Sequence, residues 1–507
     1  MSLENEYLLY ENSDNDENST ADMKHDTMGK SIDGSQDDST VIIKLPFILG
    51  PCCRYLVGIL IAILCTGSYF SYDSPGSMSK HLAEYPLEIE NDKFMLLYSL
   101  YSWPNVIMSF IGGFLVDRVL GLRLGACIFI FLVSIGHALV VAGLFMNKFW
   151  IMCLGRFIFG LGGESLQVTQ NSYVVKWFEK HGELNTVFGC MLSLARLGSS
   201  MSLIILPSIY KSLSKYHLSN TVKLGLTFSV ALLFCCVCFI VSILLMHIDK
   251  KKEVAEKIFQ KSVVKHTNGT YGTFDQDQTD TTENTKKIRI YDIKNFCLSF
   301  YLITLIIVLY YLAAFPFVSI ASSFIQRKYE YDDITAGQIV GVIYIASGLI
   351  SPFIGILIDK VGYNIYWVQF GIMLTLLVHI LFCFTFTPPI IQMLIMSIGF
   401  SIVSSALWPM IAMTVDKNYL STAFGLTQSA QNLGLAIFTI VIGYISKIFG
   451  YFLSEVIFVT VVCCALLVSL FLYIEDLKQG EQLNMSKKKH INIQIAKELI
   501  NESTEIL

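Results

Sequence analysis

The sequence predicts an all-α membrane protein of twelve transmembrane helices in two six-helix halves. Three observations predict it. Apolar stretches of about 20 residues, the length that crosses hydrocarbon, recur along most of the chain. Of its 507 residues only 15% are charged and 54% are hydrophobic, whereas a soluble domain carries about 25% charged residues. One polar stretch, residues 248–290, divides the apolar stretches six and six. Alternating strands with a polar lumen face are not visible, which argues against an outer-membrane barrel.

The elements follow in order. Residues 1–44 read as a disordered cytosolic tail, because the first 40 hold eleven Asp or Glu and two Lys and cannot bury enough apolar surface to order themselves. No cleavable signal peptide is visible, so the first span acts as its own insertion signal. An N-terminal bundle occupies 45–247, with spans near 45–70, 93–116, 122–145, 149–174, 184–208 and 222–247. Residues 248–290, rich in Lys, Asp and Thr, read as a flexible cytosolic linker. A C-terminal bundle occupies 291–474, with spans near 295–325, 336–358, 364–386, 389–414, 419–446 and 451–474. Residues 475–507 form a cytosolic C-tail, in which Ile491, Ile495, Leu499 and Ile500 fall at helical spacing beside Lys487–Lys489. That spacing fits either a membrane-surface helix or a soluble tail.

Basic residues orient the chain. Arg118, Arg123, Lys250–Lys252 and Lys487–Lys489 share one side if both termini are cytosolic, as the positive-inside rule asks. Lys211, Lys215 and Lys223 fall on the other side. The net charge of −4 says little, because the charges lie in tails and loops. The 13 cysteines show neither metal-ligand nor disulfide spacing and read as small packing residues.

The two halves repeat a motif. Gly113-Phe114-Leu115-Val116-Asp117-Arg118, followed by Gly121, closes the second span. Gly355-Ile356-Leu357-Ile358-Asp359-Lys360, followed by Gly362, closes the eighth. The glycine lets a neighbouring helix come close, and the Asp-basic pair can bind a helix end across the half interface. Two copies at matching positions mark an internal repeat rather than a chance capped turn.

Two charges stand out. Glu164 lies deep in the fourth span and Arg196 deep in the fifth. At 1.5 Å per residue they sit about 15 and about 18 Å above the same end of their spans, near the midplane. A charge there needs a partner, a wet cavity or a function. An acid and a base on consecutive helices suit a ligand with both an ammonium and a carboxylate. A structural salt bridge is the alternative. Arg156, two turns from Glu164, fits a proton relay or gate as well as a structural bond to a helix end.

The Gly113/Asp117/Arg118 signature, its echo at Gly355/Asp359/Lys360, and Arg156-x-x-x-Gly160-x-Gly162 resemble the major facilitator superfamily. Longer strings resemble one family within it, the lysosomal dipeptide transporters of the kind called major facilitator superfamily domain-containing protein 1. These are Lys93 to Tyr98, Tyr101-Ser102-Trp103-Pro104-Asn105, Gly155 to Asn171, and Ala195-Arg196-Leu197-Gly198. Phe315-Pro316-Phe317, Ala406-Leu407-Trp408-Pro409 and Gln431 to Ala436 extend it over nearly all spans. The tails and the linker do not match closely.

The resemblance implies that Glu164 and Arg196 clamp the two ends of a dipeptide. Around them Tyr72, Tyr101, Trp103, Tyr310, Tyr311 and Trp408 are candidate substrate contacts, as is Asn432; for each aromatic, ordinary packing or an interfacial belt is the alternative, and for Asn432 it is helix–helix hydrogen bonding. Pro104, Pro316 and Pro409 can bend their spans around a cavity. His137 and His379 are lone intramembrane histidines that read as packing residues before proton carriers. Asp73 fits a gate or a loop acid.

The expected activity is alternating-access export of small zwitterionic peptides from a lysosome-like or vacuolar organelle to the cytosol, by uniport. A proton-coupled carrier of another small solute and a peptide-binding nutrient sensor are the alternatives, and the plasma membrane is the alternative location. An enzyme is not expected: no His-Glu-x-x-His, Gly-x-Ser-x-Gly or Gly-Lys phosphate loop is present. No cofactor, metal or nucleic-acid partner is expected. In the N-tail, Glu4-x-x-x-Leu8-Leu9 fits an acidic dileucine signal read by clathrin adaptors. The predicted luminal loops hold no glycosylation sequon, and the resembled family uses a glycosylated single-span accessory protein for protection, so such a partner is part of the expectation.

Overall fold

The structure is a computed structural model that describes residues 48, 50–89, 91–268 and 290–485. Glu4, Leu8, Leu9, Lys487–Lys489 and most of both tails lie outside the described residues. Eleven described stretches are long and apolar enough to cross a membrane. The longest, Lys93–Phe145, has 53 residues. That is about 80 Å of helix, more than twice the thickness of hydrocarbon. It is two spans, Asn91–Leu115 and Gly121–Phe145, parted at Val116–Leu120. With these counted separately the spans number twelve.

The first span is itself broken into Pro51–Ile63 and Thr66–Tyr72. A break inside a membrane frees backbone groups that no water can satisfy. The sixth span supplies partners. Cys238 Sγ donates to Ile63 O at 3.3 Å and accepts from the Gly67 N–H at 3.3 Å. Cys235 Sγ donates to Gly67 O at 3.5 Å, and Ser71 Oγ donates to Ala231 O at 3.3 Å. These two thiols therefore do more than fill space.

The fourth to sixth spans are Phe149–Phe178, Leu184–Leu213 and Asn220–Asn268. The seventh to ninth are Leu298–Tyr329, Asp333–Val361 and Asn364–Phe384, and the last three are Pro389–Ala412, Leu420–Ile448 and Tyr451–Lys478. The sixth helix runs well into the 248–290 stretch that the sequence reads as flexible. Local ion pairs support the extension: Glu253–Lys257 at 2.9 Å and Lys252–Glu256 at 3.7 Å. Its base is tied to the third and fourth spans through Asp249, which accepts from Arg123 Nε at 2.5 Å, Lys176 Nζ at 2.7 Å and Trp177 Nε1 at 3.1 Å. The eighth span starts at an Asp332 cap whose carboxylate accepts the Thr335 N–H. Hydrogen bonds from the Thr335 side chain and then its N–H hold the Asp332 carboxyl below its ordinary range.

The halves meet through two related helix pairs, the second with the eleventh and the fifth with the eighth. The repeated motif builds both. Asp117 caps the eleventh helix, accepting from Ser421 N at 3.1 Å, Thr422 N at 2.6 Å and Thr422 Oγ1 at 2.7 Å. Asp359 caps the fifth, accepting from Asn185 N at 3.1 Å, Thr186 N at 2.7 Å and Thr186 Oγ1 at 2.5 Å. Each carboxylate satisfies amides that a helix start leaves open and sits at the positive end of the helix dipole. A cap is worth about 1 kcal/mol. Gly113 and Gly355 make the close approach possible: a Cβ on Gly113 would overlap Ser421 O, and one on Gly355 would overlap Asn185 O. Both copies end in glycines at positive φ, Gly121 at 65° and Gly362 at 79°.

The contact fades away from the motif side. Gly355, Gly348 and Gly341 lie seven residues apart and so on one helix face. A Cβ at Gly355 would overlap the fifth span, one at Gly348 would stand 3.4 Å from Leu197, and one at Gly341 would meet nothing within 4 Å. The halves are thus clamped at the motif side and part toward the other.

Candidate functional site

Glu164 follows a glycine-rich stretch of the fourth span. Cβ atoms at Gly160 and Gly163 would press on Tyr101 of the second span, so those glycines bring the two helices together. The Tyr101 hydroxyl then donates to Glu164 Oε1 at 3.1 Å. Glu164 Oε2 is buried and has no hydrogen-bond partner.

Arg196 is 8% exposed and reaches into the opposite half. Its Nη1 donates to Ser351 Oγ of the eighth span at 2.7 Å and its Nη2 to Ser404 Oγ of the tenth at 2.8 Å. The guanidinium lies 4.3 Å from the Phe400 ring centroid. Among the described residues no carboxylate neutralises it, and Glu164 and Arg196 form no ion pair. A half-buried acid with an open oxygen and a buried base held only by hydroxyls and a ring remain available to a ligand that carries the opposite charges. The planar guanidinium fork suits a carboxylate.

Aromatic side chains surround each charge. In the N-terminal half the Tyr72 ring lies 4.6 Å from Tyr101 and 5.5 Å from Tyr98. In the C-terminal half Trp408 Nε1 donates to the Tyr311 hydroxyl at 3.0 Å, and the Tyr310 hydroxyl bonds Thr375 Oγ1 at 3.1 Å. Tyr310 and Tyr311 both face Phe400, at 6.4 and 5.9 Å, and so reach Arg196 through it. Asn432 Nδ2 is buried without a partner. Trp103 is placed elsewhere: it is 63% exposed and shares an outward apolar stripe with Leu96, Ile107 and Ile111.

Arg156 is 1% exposed. Its Nη2 donates to Tyr72 O at 2.8 Å, and it lies over Tyr98 at 5.1 Å, while Nε and Nη1 lack partners. Of the basic motif residues, Arg118 lies over Phe114 at 5.5 Å, and Lys360 takes the matching place in the second copy. His137 bonds Phe228 O at 3.1 Å. His379 is not alone: its Nδ1 lies 2.8 Å from Glu455 Oε2, both side chains buried.

Ser351, Ser404, Phe400 and Glu455 escape a reading of the sequence. The one hint is the run Ser397, Ser401, Ser404 and Ser405, too polar for a span facing lipid. Among the described residues no group of three or more His, Cys, Asp or Glu could hold a metal ion.

Comparison with known proteins places this arrangement. The Major Facilitator Superfamily model matches residues 55–269 and 303–503. A Danio rerio protein named lysosomal dipeptide transporter MFSD1 is 39% identical over 464 residues, covering 90% of this chain and 95% of that protein. The Homo sapiens protein of the same name is 39% identical over 444 residues, covering 87% and 90%. Among solved structures, the E. coli fucose:proton symporter FucP superposes with a TM-score of 0.61 at 15% identity, over 82% of this chain and 98% of that one. The human organic anion transporter MFSD10 gives 0.59 at 14%, over 83% and 100%. Members of this superfamily are carriers, not enzymes, and the chain belongs to the major facilitator superfamily and, within it, to the MFSD1 family.

Proposed function

We propose that the protein is an alternating-access carrier that exports dipeptides from a lysosome-like lumen to the cytosol by uniport. Glu164 holds the substrate ammonium and Arg196 its carboxylate. The observation that carries the reading is that these two charges, both borne by the N-terminal half, stand unpaired with each other, Glu164 among the aromatics of its own half and Arg196 reaching into those of the other. Tyr72, Tyr101, Tyr310, Tyr311, Trp408 and Asn432 contact the substrate between them, and rings suit side chains of varied identity. The names of the MFSD1 relatives support the substrate class and the organelle.

The halves 45–247 and 291–474 rock about this centre, and Asp117 and Asp359 clamp the motif side shut while the other side is open. Both termini face the cytosol, which puts the motif side there and lets clathrin adaptors read Glu4, Leu8 and Leu9. A glycosylated single-span protein covers the luminal loops.

Counterflow in proteoliposomes tests the reading. Vesicles preloaded with unlabelled dipeptide should accumulate labelled dipeptide at equal pH on both sides. Accumulation that requires a pH difference would replace uniport by proton coupling, with the buried His379–Glu455 pair as the first place to look. Binding without counterflow would make the protein a sensor.

A further inference from the structure

A cavity of about 690 Å³ opens on the motif side, away from Glu164 and Arg196. Four cations line it: Arg118 after the second span, Lys176 and Lys180 at the end of the fourth, and Lys417 before the eleventh. Two acids share it, and both are spent. Asp117 caps the eleventh helix, and Glu179 pairs with Lys417 at 2.6 Å. Lys176 is paired with Asp249 at 2.7 Å. Arg118 and Lys180 have no ion-pair partner among the described residues. Lys252 lies nearby, 4.0 Å over the Trp177 ring, and is paired with Glu256 at 3.7 Å. Beneath the cations the walls are apolar, from Val116, Leu122, Val175 and Leu420.

Two cations without ion-pair partners at one cavity, Arg118 and Lys180, leave positive charge there that an anion would offset. Arginine and lysine together are the residues that bind phosphate, one as a fork and one as a point charge. The walls come from both halves, and the Lys417–Glu179 pair crosses between them.

We propose that this cavity binds a phosphate-bearing anion, and that its occupation favours the state closed on the motif side. The ligand is a phosphomonoester, carried either by a membrane lipid headgroup or by a soluble molecule. Cations above apolar walls suit both, and a cytoplasmic leaflet offers the lipid source at the surface where basic clusters collect. The site is independent of what the central charges carry.

The test uses the purified full chain in phosphatidylcholine nanodiscs, read as the thermal unfolding midpoint. One arm adds phosphatidylinositol 4-phosphate to the discs, a second adds inositol hexakisphosphate in solution, and a third adds phosphatidylserine to control for charge alone. A ligand that binds the folded state raises the midpoint. A rise of about 3 °C is expected in the first or second arm, exceeding that in the third, and the responding arm names the source. Lys180→Gln alters an exposed, unpaired side chain and should keep the plain-disc midpoint while losing at least half of the rise. Arg118→Gln should lose it as well. No rise in either phosphate arm, a rise matched by phosphatidylserine, or one untouched by both substitutions would overturn the proposal.

Discussion

Arg196→Ala is expected to abolish dipeptide uptake while leaving the protein folded. Hydrogen bonds to a charged group contribute about 1.5–3 kcal/mol each. Losing a two-pronged grip on the substrate carboxylate therefore costs about 3 kcal/mol or more, at least about a hundredfold in binding. The fold should survive because the serines left behind are not orphaned. Ser351 Oγ donates to Ser347 O at 2.7 Å, and Ser404 Oγ to Phe400 O at 2.7 Å. Arg196→Lys should keep part of the activity, since it retains the charge and loses the fork. Glu164→Gln is the matching test at the other end. Its carboxamide oxygen still accepts from Tyr101, so only the charge that meets the ammonium is lost. Labelled dipeptide uptake into proteoliposomes, beside the unfolding midpoint of each variant, checks all three. Wild-type uptake by Arg196→Ala and Glu164→Gln would refute the clamp.

The second large effect lies at the half interface. Gly113→Val is expected to reduce transport to background and Gly113→Ala to lower it at least about tenfold. The obstacle is backbone, not a flexible side chain: a Cβ at Gly113 would overlap Ser421 O. Ser421 is fixed by its amide bond to Asp117 at 3.1 Å and by its hydroxyl contact with Ser172 Oγ at 2.8 Å. To admit the methyl, the second and eleventh helices must separate and the Asp117 cap must stretch. Closely packed interfaces do not absorb such a change smoothly. The carrier would then fail to close on the motif side, and every cycle needs that closure. Initial rates of counterflow check this, and rates near wild type for Gly113→Val would show that the clamp is dispensable.

Much of the architecture is legible in the sequence because a bilayer imposes simple rules. Long apolar stretches must be helices, and buried charges must be exceptions, so the twelve spans and the prominence of Glu164 and Arg196 can be read from residue order. The paired Gly-x-x-x-Asp motifs could be read as helix-end binders, although which ends they bind could not. What stays hidden is contact between residues far apart in the chain. Ser404 lies 208 residues from Arg196, and Glu455 lies 76 from His379. Nothing local announces either partnership. The break in the first span was hidden for the same reason, since the thiols that stitch it belong to the sixth. Trp103 lies apart from the other candidate aromatics, 63% exposed. Neighbouring Tyr101 and Pro104 make it attractive as a site residue, yet helical periodicity places it with Ile107 and Ile111 on an outward stripe. The helical part of 248–268 reflects tertiary anchoring of Asp249 and Glu253 by Arg123, which overrides a polar composition.

In the proposed mechanism Glu164 and Arg196 wait apart for the two ends of one zwitterion. The most direct measurement compares the thermal shift of the purified protein with dialanine, N-acetyl-dialanine and dialanine amide. Only dialanine carries both charges. It should stabilise the protein strongly, and masking either terminus should remove most of the shift. In Glu164→Gln, acetylation should make little further difference, and in Arg196→Ala the same should hold for amidation. Equal stabilisation by the free and the masked peptides would contradict the account.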